Sequence, residues 1–473
     1  MNELQKLYNR IIQRVHINLR ALDFDIQPYS KGIIQPEQMY KFYAFYGITT
    51  GHPLSLMFEH SGLAGSYFLG KCRISNALLY KSDIRGDELK RKGASYQCQG
   101  FPIELQDDEL IDIRNSALAK TLVHNYSHDP ETPDVFFIKN TLAMDYANIH
   151  GSPTNGAFLG PFATVDLTTV YDCVVGTYSY IQAGEISHLK IEPGTIWVHA
   201  PGAFNFYYRH DPESLEQYAS VVSGHRPHGI ILDFIEEREE AFQYLFDTVK
   251  VEAVESIPKT ASLDRYAVVL GDTTIADNVL VSQRAYLENA YLGKGSNAQE
   301  NCFIINSRLE SFNVTAHGAK IIESDLGRDV FVGFNSFLFG KKDARVHIGQ
   351  GCIVMPHTII DVDEPLHIAK DHLVWGLIRN TEDLQENSIS FDELTAQKTG
   401  FSRGNLHFEG NGYLFVKGFK DRIDHILDAN GAFFGRGNNT GHAQRNQNLS
   451  LNTIQPFQFG PMKGLYPNIT IEL

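Results

Sequence analysis

Apolar and small residues recur through residues 275–338 with a period of 17. Ile275, Leu292, Leu309 and Leu326 form one series. Val281, Ala298, Thr315 and Val332 form a second, and Leu287, Ile304, Ile321 and Leu338 a third. Two positions before each member of the first series stand Thr273, Ala290, Ser307 and Ser324. Two before each member of the third stand Ala285, Cys302, Ala319 and Ser336. All eight are small. A helix repeats its apolar face every 3.6 positions and a strand every two. Here the period of two lasts only for small-x-aliphatic, and then the chain turns. The pattern predicts three short strands and three corners per coil, with coils stacked about 4.8 Å apart. That is an all-β solenoid, in which each coil touches only its neighbours.

The same rhythm appears earlier with a period of 16. Leu159 precedes Val175, Val165 precedes Ile181, and Val170 precedes Ile186. The solenoid is expected in two blocks, residues 63–202 and 265–378. Residues 85–110 are charged and irregular and read as a loop leaving a coil. Residues 1–62 form an N-terminal helical and mixed cap. Within it, Leu4, Leu7, Tyr8, Ile11, Val15, Leu19 and Leu22 share one helical face, as a docking helix requires. Residues 203–264 form a helical insertion. Asp211-Pro212 marks one helix start, and a second helix is predicted from about Ile230 to Val249. Residues 379–473 form a C-terminal α+β region. There a helix near 419–429 stops at Asn430-Gly431, and a polar, glycine-rich loop follows over 435–448.

Composition narrows the partners. The chain has 473 residues, 43% hydrophobic content and a formal charge of −15. That charge disfavours nucleic acid and anionic membrane as partners. No apolar run of about 20 residues and no signal peptide are recognised, so a cytoplasmic protein is expected. The five cysteines show no CxxC spacing. Cys173, Cys302 and Cys352 fall on small inward positions and read as packing residues.

The stretches LGPFATV (159–165), VGTYSYI (175–181), LGKGSNA (292–298), LGRDVFV (326–332) and IGQGCIV (348–354) resemble the hexapeptide repeats of the bacterial acyltransferase superfamily. The resemblance covers roughly 63–200 and 265–378. It implies a left-handed parallel β-helix, a homotrimer, and a groove between subunits that takes an acyl thioester of coenzyme A or a carrier protein. It implies a histidine general base acting on a hydroxyl or amine of a small molecule such as a sugar or sugar nucleotide. Histidine titrates near working pH, as that step requires. The candidate bases are His317, His188 and His199. The first two each stand two positions after an inward residue, an offset that points outward. Lys341, Lys342 and Arg345, in a five-residue insertion, are candidates for the coenzyme A phosphates. No metal is expected.

Two other classes fit the same repeats. One is a non-catalytic scaffold or regulatory β-helix. The other is a zinc enzyme like the hexapeptide-repeat carbonic anhydrases, for which His367 and His372 have a suitable spacing.

Overall fold

A computed structural model describes residues 2–31, 33–48, 54–98, 101–125, 135–242, 257–436, 440–445 and 449–472, without the side chains of 96–98. The chain divides into two compact units. The first comprises residues 1–194, 212–235 and 449–473, and the second comprises 195–211 and 236–448.

In the second unit, successive strands are dealt in turn to three parallel sheets. Leu280–Val281, Asn297–Ala298, Val314–Thr315, Phe331–Val332 and Ile353–Val354 lie in one sheet. The next strands build the second sheet, and the next the third. This order fits a three-sided β-helix. The register is the one the 17-residue period requires. Ile275 pairs with Leu292, Leu292 with Leu309, and Leu309 with Leu326. Val281, Ala298, Thr315 and Val332 stack likewise, as do Leu287, Ile304, Ile321 and Leu338. Apart from the half-buried Ile275 at the first turn, these side chains are buried. Cys302 and Cys352 pack inside with them.

The first unit repeats the scheme. Leu159 pairs with Val175, Val165 with Ile181, and Val170 with Ile186. Cys173 is buried here. Parallel pairing begins ahead of residue 63, because Ala44–Ile48 and Leu56–Glu59 already join two of these sheets. Residues 85–110 leave the coil as expected and carry an antiparallel hairpin, Ser95–Cys98 against Phe101–Glu104. The helix Glu3–Leu19 buries Leu4, Leu7, Ile11, Val15 and Leu19. Asn18 fixes it to a coil corner by donating to Asp172 Oδ1 at 2.7 Å.

Among the described residues, the second helix predicted for the insertion is interrupted. Helices span Pro212–Tyr218 and Ile230–Glu236, with a turn at 237–238 and helical residues again at 239–242. The rest of the predicted second helix, 243–249, lies outside the described residues. In the C-terminal region the helix runs Gly412–Asn430, seven residues longer at its start than the pattern indicates. Asn411 caps it, and Gly431 ends it with φ 83°. Part of the 435–448 loop, 437–439 and 446–448, is outside the described residues. Among described residues no helix is long and apolar enough to cross a membrane.

Candidate functional site

Five successive corners between the first and second sheets of the second unit have a left-handed residue. Arg284, Asn301, Gly318, Asn335 and His357 all have positive φ. The residue before each is thereby aimed outward from the prism. The corners are tied by backbone bonds, Gly318 N–H to Glu300 O at 2.8 Å and Asn335 N–H to His317 O at 3.0 Å. One period apart, Glu300 and His317 therefore stack. His317 Nδ1 lies 2.6 Å from Glu300 Oε2. The pair is 3% and 2% exposed, and Phe334 of the next coil packs its ring 5.4 Å from the imidazole. A carboxylate this close to Nδ1 favours the tautomer with its proton there and with Nε2 as the basic atom. The outward offset read from the sequence holds, but the side chain is enclosed rather than open to a groove.

Three residues on, Lys320 is buried in a column of Tyr286, Phe303, Lys320, Phe337 and Ile359. Its ammonium donates to Gly318 O and stands 6.0 Å from the Phe303 ring centre. Burial drives its pKa down to about 7. The sequence analysis missed it, although a lysine interrupting an apolar column at the 17-residue spacing is a readable signal.

The other candidates are dispersed. His188 follows a strand of the first unit, exposed at a corner with Asp172 3.9 Å away. His199, half-buried on Thr195–Ala200 of the second unit, has the Trp197 ring 6.2 Å off. Arg345 is engaged by carboxylates. It bonds Asp325 through Nε at 2.9 Å and Nη2 at 3.0 Å, and Glu323 through Nη1 at 2.6 Å. Those bonds hold the Asp325 carboxyl below its usual range. Lys341 pairs with Asp363, and Lys342 is exposed. His367 and His372 fall on strands of two different sheets.

Beside Arg345 runs a groove of about 580 Å³ lined by Arg308, Glu310, Asp325, Gly327, His347 and His367, among others. The His347 and His367 rings stack 4.6 Å apart and nearly parallel. His317 is not among the residues lining this groove.

The first unit carries a polar ladder that the sequence analysis also missed. Arg85, His124, His150 and Asp166 are register neighbours on four successive strands. All four are buried. His150 Nδ1 lies 2.8 Å from Asp166 Oδ1, and the Tyr180 hydroxyl donates to Asp166 Oδ2. Arg85 forks onto Asp87. Desolvation drives the His124 pKa well below its ordinary value. The 16-residue step from His150 to Asp166 was the available signal.

The family described as "Hexapeptide repeat including loop" matches residues 101–223. No curated protein matches the chain. A solved structure from Desulfovibrio desulfuricans G20, described as a "putative acetyltransferase", is 51% identical, with TM-score 0.93 over 100% of this chain and 99% of that one. A Bacillus cereus structure described in the same words is 13% identical over 34% of this chain and 88% of its own, with TM-score 0.17. A hexapeptide transferase family protein from Anaplasma phagocytophilum is 14% identical over 35% and 89%, with TM-score 0.18. The stacked repeats, the matched family and the full-length relative from Desulfovibrio lead to one assignment: the chain belongs to the hexapeptide-repeat acyltransferase superfamily.

Proposed function

We propose that this protein moves an acyl group from a coenzyme A thioester to a hydroxyl or amine of a small molecule, with His317 as general base. The observation that carries the reading is the His317–Glu300 contact of 2.6 Å at a buried corner. His317 Nε2 takes the proton of the acceptor O–H or N–H as the acceptor attacks the thioester carbonyl carbon. The C–S bond then breaks, and the thiolate leaves with the proton held by the imidazolium. Glu300 fixes the ring and offsets the positive charge that develops on it. Exclusion of water from the corner favours transfer over hydrolysis. Lys341 and Lys342 are the cations assigned to the phosphates of the donor. Arg345, tied to Asp325 and Glu323, acts by ordering the turn that carries the two lysines. A left-handed helix, a homotrimer, a cytoplasmic location and a sugar or sugar-nucleotide acceptor complete the reading.

The test is free-thiol release from acetyl-coenzyme A across a panel of amino sugars, sugar nucleotides and simple amines. One acceptor should support turnover. His317→Gln should lower kcat roughly 10²–10⁴-fold, and Glu300→Gln should lower it by a smaller factor while shifting the pH–rate profile. Both variants should retain the melting temperature within a few degrees. Thiol release by His317→Gln at the wild-type rate would sink the assignment of the base.

A further inference from the structure

We propose that His124 and His150 of the first unit are ligands of a divalent transition metal. Their strands, Leu122–His124 and Asn148–His150, are register neighbours, and the two histidines stand directly opposite each other. The rings meet edge-on with centres 5.1 Å apart. A ring nitrogen of one lies within 4.8 Å of a ring nitrogen of the other. Two nitrogens bound to a tetrahedral ion at about 2.1 Å sit roughly 3.4 Å apart, so small ring rotations close the difference.

The surroundings match the outer shell of such a site. A metal-bound imidazole turns its second nitrogen to a carboxylate, which fixes the ring and raises its basicity. Asp166 does this for His150, 2.8 Å from Nδ1, and leaves Nε2 to bind. Asp166 is itself held by the Tyr180 hydroxyl. Glu88 approaches Nε2 of His124 at 3.8 Å. Three carboxylates, Asp87, Glu88 and Asp166, stand around the pair against one guanidinium, Arg85, which Asp87 already engages. A buried shell with that excess of negative charge favours a dication. Imidazole donors suit zinc, cobalt or nickel over calcium or magnesium.

The test does not depend on turnover. Tag-free protein, stripped with chelator, is titrated with Co²⁺ and Zn²⁺. Binding is followed by the visible Co²⁺ spectrum and by metal content after gel filtration. Wild type should take up one ion. His124→Gln and His150→Gln should each lose it, and Asp166→Asn should weaken affinity about ten- to hundredfold. His367→Gln, at the exposed stacked pair, should bind like wild type. Should one ligand variant fail to fold, the other decides. Absence of uptake by wild type, or uptake unchanged in the ligand variants, overturns the proposal. Acyl transfer by a wild type that takes up no metal would leave the reading of His317 standing and remove only this site.

Discussion

Lys320 is where burial and charge conflict most sharply. Its amine is enclosed between Phe303 and Phe337 of the adjoining coils, and its pKa falls to about 7. In the unfolded chain a lysine keeps its proton up to about pH 10.4. Between those values the unfolded state binds more protons than the folded one, so stability must rise with pH. Urea unfolding from pH 7 to 10 should show that rise. Lys320→Met, similar in length and uncharged, should flatten it and raise the unfolding midpoint at pH 7. A pH dependence identical to wild type would show that this amine pays no such cost in the fold. His210 is the milder case. Its Nε2 lies 2.9 Å from His357 O, yet burial still lowers its pKa to about 4. It contributes a loss of stability as the pH falls from about 6.5 towards 4.

At the scale of the coil, the inward columns were legible and their outward neighbours were not. Leu292, Leu309 and Leu326 recur at fixed spacing because only a branched aliphatic fills the prism in every coil. Outward residues answer to whatever covers them, so His317 and His150 look like any exposed polar residue in the string. The sequence found His317 by its offset from Thr315. It missed His124 because the period is broken between 124 and 150, and it passed over the 16-residue step from His150 to Asp166. It also read the second insertion helix as continuous, where a turn interrupts it at 237–238. The column makes a quantitative claim. Leu309 is fully buried between Leu292 and Leu326. Leu309→Ala should cost about 2–5 kcal/mol in chemical unfolding, because the coils above and below hold the cavity open. At Gly349, an added Cβ would come within 2.5 Å of Lys370 N in the next coil. Gly349→Ala should therefore destabilise by about 1–3 kcal/mol through overpacking. A loss under 0.5 kcal/mol for both would contradict tight stacking.

At the scale of the molecule, each unit solves the same problem at its ends. A stack of parallel strands presents unpaired N–H and C=O groups on its first and last coils. In the first unit, Ser450–Ile454 and Ile469–Ile471 pair antiparallel with Ala44–Ile48 and Leu56–Glu59. In the second, Ser388–Ser390 closes the last strand, His372–Val374. The C-terminal region, whose strands the sequence did not place, thus supplies closing strands to both stacks. The partners of Ser450–Ile454 and Ile469–Ile471 lie hundreds of residues away, which no local pattern reveals. The central claim concerns where the thioester goes. A crystal structure with bound coenzyme A tests it most directly. The account predicts the thiol end within hydrogen-bond reach of His317 Nε2, directly or through one water. Coenzyme A bound with its thiol directed elsewhere, and no acceptor pocket at His317, would contradict it.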